Sequence, residues 1–128
     1  MRAIQRNFTF HAECIKKFGE KLGERVWEAI NLVFDVMPIG ALIDGKIFCV
    51  HGGITPPWMG NGLITSLDRV PVNLPDPEGD DSLVWEYLWN DPLPANDREI
   101  PKQCRAQLAM PELNGFIANY NRGTGHMF

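Results

Sequence analysis

Cysteine is scarce in this 128-residue chain: Cys14, Cys49 and Cys104 are odd in number and far apart. No CxxC or CxxH pair occurs, so neither a zinc knuckle nor a disulfide scaffold organises the fold. Isolated thiols suit a reducing, intracellular compartment, cytoplasmic or nuclear. Long apolar runs are missing too. The longest, residues 39–50, is broken by Asp44, Gly45 and Lys46, which excludes a membrane span. The opening MRAIQRNFTFHAEC has no apolar core of the kind a secretory signal needs. Positive charge is not in excess either. Twelve Lys and Arg face sixteen Asp and Glu, a net charge of −4. That argues against holding nucleic acid by bulk electrostatics, and no membrane partner is expected.

What is present suits a globular domain. Hydrophobic residues make up 45% of the chain, enough for a core at this length. Ten prolines and twelve glycines predict several loops. Cys14, Ile15, Phe18 and Leu22, then Val26, Trp27, Ile30, Val33, Phe34 and Met37, recur at helical spacing over residues 8–37. Gly19 and Gly23 predict a break into two helices, the second ending before Pro38. The period then changes. IGALI, Asp44-Gly45 and KIFCV read as a strand, a two-residue turn needing positive φ, and a strand. The unbroken run Ile47-Phe48-Cys49-Val50 predicts a strand covered on both faces. A Pro- and Gly-rich loop follows, then a short amphipathic stretch through Leu63, Ile64, Leu67 and Val70. Residues 71–81 read as surface loop. Asp80, Asp81 or Ser82 is set to cap a short helix carrying Leu83, Val84, Tyr87 and Leu88, stopped by Pro92. Residues 93–114 are polar and read as an excursion.

Three places are suited to chemistry. His51 directly follows the apolar strand, where strand ends deliver functional groups into a crevice. Gly52 and Gly53 after it allow a close backbone approach, and a neutral imidazole there suits Mn, Fe or Zn. A strand-capping histidine has the same local pattern. Asp91 precedes a proline and is pushed toward extended backbone, which projects its carboxylate away from the helix; a plain helix-stop turn reads the same. Arg122, in Asn121-Arg122-Gly123, sets a guanidinium beside pliable backbone, as bidentate phosphate recognition requires. Solvated surface arginines share that setting.

Taken in order, I-G-A-L-I-D-G-K-I-F-C-V-H-G-G-I-T-P, L-W-N-D-P and N-R-G-T-G closely resemble the phosphoprotein phosphatase family of serine/threonine phosphatases, within the calcineurin-like metallophosphoesterases. F-T-F-H-A-E-C-I-K-K-F-G and V-W-E-A-I-N-L-V-F look like the helical stretch before the hairpin in those enzymes. The resemblance implies an α/β fold, part of a β-sandwich flanked by helices. It implies two divalent cations (Mn, Fe or Zn) and a bridging water that attacks phosphoserine or phosphothreonine in protein substrates, with regulatory subunits as further partners. By the same resemblance His51 is a metal ligand, Arg122 clamps the phosphate and Asp91 organises the metal centre. Ile4, Phe8 and Trp89 line an adjoining groove.

Several of the family's motifs have no counterpart here: G-D-x-H-G, G-D-x-V-D-R-G and G-N-H-E, which carry most metal ligands and the general acid. His11 and His126 match no ligand position. Residues 1–128 are therefore expected to be an internal portion of one catalytic domain, inactive alone. The competing expectation is a non-catalytic module that binds partner peptides. The stretch from Asp91 to Arg122 is also long for the family, and Arg98 lies nearer to Asp91 in sequence. Gly123, Gly125 and Phe128 continue the family pattern and favour Arg122.

Overall fold

A computed structural model describes residues 1–59, 64–75 and 82–128, which divide into two compact units. The first takes in Met1–Pro38 and the described residues from Pro71; the second takes in Ile39–Val70 and the described residues up to Phe128. No helix among the described residues is long and apolar enough to cross a membrane.

The first unit is helical: α1 (Arg2–Asn7), α2 (Phe10–Phe18) and α3 (Glu20–Phe34). The predicted break falls at Gly19, whose φ of 77° only glycine adopts freely. α2 and α3 cross closely at Gly23, where a Cβ would lie 2.6 Å from the Cys14 carbonyl oxygen. One feature departs from the sequence reading. Residues 2–7 form a helix that no periodicity announces, held by tertiary bonds. Arg2 Nη1 and Nη2 donate to the two carboxylate oxygens of Asp35 at 2.9 and 2.8 Å, and Gln5 accepts from Trp27 Nε1 at 2.7 Å. α3 stops at Phe34, before Pro38 as the sequence predicts. Just beyond its end Asp35 pairs with Arg2, and its carbonyl accepts from Leu74 N at 2.9 Å.

The inner face of α3 is more polar than its apolar stripe predicts. Cys14, Trp27 and Asn31 are buried, and Asn31 exchanges hydrogen bonds with Gln5. Val33, Phe34 and Met37 from the predicted stripe are exposed.

The second unit opens with an antiparallel hairpin of β1 (Gly40–Ile43) and β2 (Ile47–Val50). Asp44 and Gly45 carry positive φ of 52° and 64°, as the Asp-Gly reading requires. The ladder nevertheless pairs Ile43 with Ile47, so Lys46 is an extra residue beyond the turn. β2 is not covered on both faces: Ile47 is 58% exposed. The sheet has two strands, and a two-stranded ribbon cannot cover itself. Phe48 packs edge-on to the buried Tyr87, ring centroids 6.1 Å apart.

The amphipathic stretch forms a 3-10 turn, Ile64–Arg69; Leu63 lies outside the described residues. α4 (Ser82–Trp89) appears as predicted, burying Val84 and Tyr87, while Asp80 and Asp81 of the proposed cap lie outside the described residues. Residues 93–114 are not a mere surface excursion. They contain α5 (Lys102–Leu108), and Ile100 and Cys104 join Ile117 and Met127 in a core cluster. Sparse apolar residues among polar neighbours hid this. The strands β3 (Ile117–Ala118) and β4 (His126–Met127) pair antiparallel and close the unit.

Candidate active site

The site grows from the corner where α4 ends. Asn90 is fully buried there. Its Nδ2 donates to the Ile54 carbonyl at 2.7 Å, and its Oδ1 accepts from His126 N at 2.6 Å. Two distant segments are thus tied to one side chain. Gly52 makes the first attachment possible. Its N–H donates to the Tyr87 carbonyl at 2.8 Å, and a Cβ on it would stand 2.8 Å from that oxygen and from the Leu88 carbonyl carbon. A backbone contact of this kind cannot yield as a side chain would. Gly52 therefore seats the strand end against α4, while Gly53 makes room for the Phe128 ring, which a Cβ there would overlap.

Asp91, one residue on, is extended. It forms an isolated parallel bridge with Met127, donating from its N to the His126 carbonyl at 3.1 Å. The seven-residue loop between paired Ala118 and His126 returns to the same corner and carries Arg122. Arg122 meets Asp91 through two donors, Nε to Oδ2 and Nη2 to Oδ1, the latter at 2.9 Å. The guanidinium carbon stands 5.7 Å from the Trp89 ring centroid. Asn119 completes the group, its Nδ2 donating to Asp91 Oδ2 at 2.8 Å. Hydrogen bonds from Arg122 above all, and then from Asn119, hold the Asp91 carboxyl below its ordinary pKa against the opposing effect of desolvation. The same pairing raises Arg122. Asp91 is ionised at neutral pH, and the guanidinium is steered rather than free.

The six residues singled out in sequence fare differently. Asp91, Arg122 and Trp89 are brought together. Arg98, the competing arginine, is exposed in a 3-10 turn (Asp97–Glu99) and does not take the Asp91 carboxylate. His51 is exposed at the end of β2. Ile4 and Phe8 belong to the helical unit, where Ile4 is half-buried and Phe8 is exposed, whereas Trp89 belongs to the other. The two histidines without an assigned role are both in ion-pair geometry. His11 Nε2 lies 2.6 Å from Glu24 Oε2, and His126 Nδ1 lies 2.7 Å from the buried Glu86 Oε2. Sequence reasoning quoted Asn90 within its motif and passed over Asn119, and gave a role to neither. The available signal was two asparagines flanking turns beside apolar residues, where a short amide side chain bonds local backbone.

Residues 7–121 match the family model for calcineurin-like phosphoesterases, a span that holds His51, Asp91 and Asn119 and ends one residue before Arg122. Members of that family generally bind two divalent metal ions. Among the described residues no group of three or more His, Cys, Asp or Glu side chains could hold one. His51 alone does not fit a two-metal centre. The helices with two small antiparallel sheets agree with an α/β domain of this kind. With nearly its whole length matched, the chain belongs to the calcineurin-like phosphoesterase family.

Proposed function

We propose that the chain is part of the catalytic domain of a serine/threonine protein phosphatase of the phosphoprotein phosphatase family, hydrolysing phosphate monoesters on serine and threonine. In this reading Mn, Fe or Zn is the metal, His51 is one ligand, and the other ligands come from polypeptide outside these 128 residues. Regulatory subunits would be its further partners.

The observation that carries the reading is the Asp91–Arg122 pair set over Trp89. Of the five donors on a guanidinium, Asp91 takes the Nε and Nη2 edge, and the Nη1 side is left for an anion. A planar fork held in one orientation binds a phosphoryl group without reorganising as charge develops on its oxygens. Arg122 is 46% exposed at its side chain, so an incoming phosphoester can reach it. Trp89 supports the guanidinium face and would adjoin the substrate peptide.

Titrating the chain with a phosphoserine peptide, read by tryptophan fluorescence, tests the proposal. Arg122→Ala should weaken binding by about ten- to hundred-fold, the usual worth of hydrogen bonds to a charged group. Arg98→Ala should leave it within about two-fold. Loss with Arg98→Ala and retention with Arg122→Ala would place the phosphate around residues 96–98 and sink the assignment.

A further inference from the structure

We propose that Asn119 is a positioning residue for Arg122, presenting its guanidinium to phosphate by holding both ends of the Asp91–Arg122 pair. This rests on the reading of Arg122 as the phosphate clamp. Asn119 is 2% exposed, immediately after β3. Its Oδ1 accepts from the backbone N–H of Asn121 at 3.1 Å and of Arg122 at 3.2 Å. Its Nδ2 donates to Asp91 Oδ2 at 2.8 Å and to the Trp89 carbonyl at 3.3 Å. Its own backbone closes the loop, donating to Gly125 and accepting from Gly123, each at 3.0 Å.

One amide side chain therefore touches the arginine's backbone, the carboxylate that steers the arginine, and the residue whose ring lies beneath it. The Oδ1 bonds by themselves make an Asx turn, which many loops contain for shape alone. The Nδ2 bond to Asp91 is different. It is not needed for the turn, and it fixes the carboxylate that two guanidinium donors must meet. A long exposed arginine has many rotamers, and it keeps one only while its partner is itself held.

Two substitutions separate turn from positioning. Asn119→Asp and Asn119→Ser both keep an oxygen for the two backbone N–H groups. The first replaces the Nδ2 donor by an acceptor, and the second is too short to reach Asp91. In the full 128-residue chain, solvent exchange of the Arg122 Nε–H is read by nitrogen-15 NMR, alongside affinity for inorganic phosphate. Both variants should speed that exchange and weaken phosphate binding by about ten-fold each, the lower end for partners that orient a binding group. The amides of Asn121 and Arg122 should keep their wild-type shifts. If either folded variant leaves Nε–H exchange and phosphate affinity at wild-type values, Asn119 only shapes the turn and the proposal is overturned. Arg122→Ala tells the two readings apart. If it leaves phosphate affinity unchanged, the clamp itself is refuted, and the purpose assigned to Asn119 with it. If it abolishes phosphate binding while the Asn119 variants do not affect it, Asn119 alone is refuted.

Discussion

Asn90→Ala is the substitution on which the geometry of the site bears hardest. The wild-type side chain is fully buried and makes two short bonds, to the Ile54 carbonyl at 2.7 Å and from His126 N at 2.6 Å. Alanine leaves both backbone groups without their partner. An orphaned buried donor or acceptor costs about 1–3 kcal/mol, so the pair predicts a loss of about 2–6 kcal/mol. That is a large part of the 5–15 kcal/mol typical of a whole domain. The assay is urea unfolding, followed by amide exchange at Gly52, Asp91 and Gly123, which report the three segments meeting at the corner. Because the chain has two units, site-resolved exchange is preferable to a single midpoint. Asn90→Asp keeps the acceptor for His126 but sets a buried carboxylate oxygen against the Ile54 carbonyl, so it should cost at least as much as alanine. Asn96→Ala is the exposed control: its side chain donates to Glu99 at 3.3 Å and accepts from Arg98 N at 3.1 Å, both in solvent, and its loss should cost about 1 kcal/mol at most. If Asn90→Ala costs no more than Asn96→Ala, the corner is not held together by this side chain and the argument fails.

Other consequences are smaller in scope. Gly52→Ala should cost about 1–3 kcal/mol, measured by thermal melting, because the new methyl meets the Tyr87 and Leu88 backbone at 2.8 Å. In the helical unit, Arg2 holds the Asp35 carboxyl below its ordinary pKa. A depressed folded value means stability present above the unfolded pKa, near ~3.9, and lost as pH falls through the folded one. Acid titration of helix content should therefore show a loss below about pH 4 that is shallower in Arg2→Ala. The 128-residue chain alone should show negligible Mn-dependent hydrolysis of a phosphopeptide, since His51 by itself cannot hold two cations. Robust turnover by the purified chain would contradict that.

The sequence was most legible where one residue type has few conformational options. Asp44-Gly45 announced its turn through positive φ, and Gly19 announced the helix break. It was least legible where tertiary partners decide. Nothing in Met1–Asn7 repeats at helical spacing, and α1 exists because Arg2 and Gln5 find Asp35, Trp27 and Asn31. Ile100 and Cys104 were lost among polar neighbours, though they pack into the core with Ile117 and Met127. The apolar run of β2 suggested cover on both faces, but apolar sequence records affinity for a neighbour and not which neighbour is present. At the site, nearness along the chain favoured Arg98 for Asp91. The β3–β4 hairpin overrides that, because the Asp91–Met127 bridge brings back a loop 31 residues away. Asn90 and Asn119 stayed hidden, because an asparagine that knits three segments looks, in sequence, like any turn residue.

The central claim, that Arg122 is the phosphate clamp of a phosphomonoesterase, is tested most directly by turnover of a phosphoserine peptide in a longer, metal-loaded form of the protein. Arg122→Ala removes a charge-assisted donor whose contacts strengthen as charge develops on the phosphoryl oxygens. Loss of one such donor costs about 3–4 kcal/mol, so kcat/KM should fall about hundred- to thousand-fold. Metal content should be unchanged, since arginine is not a ligand, and Arg98→Ala should turn over at nearly the wild-type rate. Full turnover by Arg122→Ala, with Arg98→Ala inactive, would contradict the account.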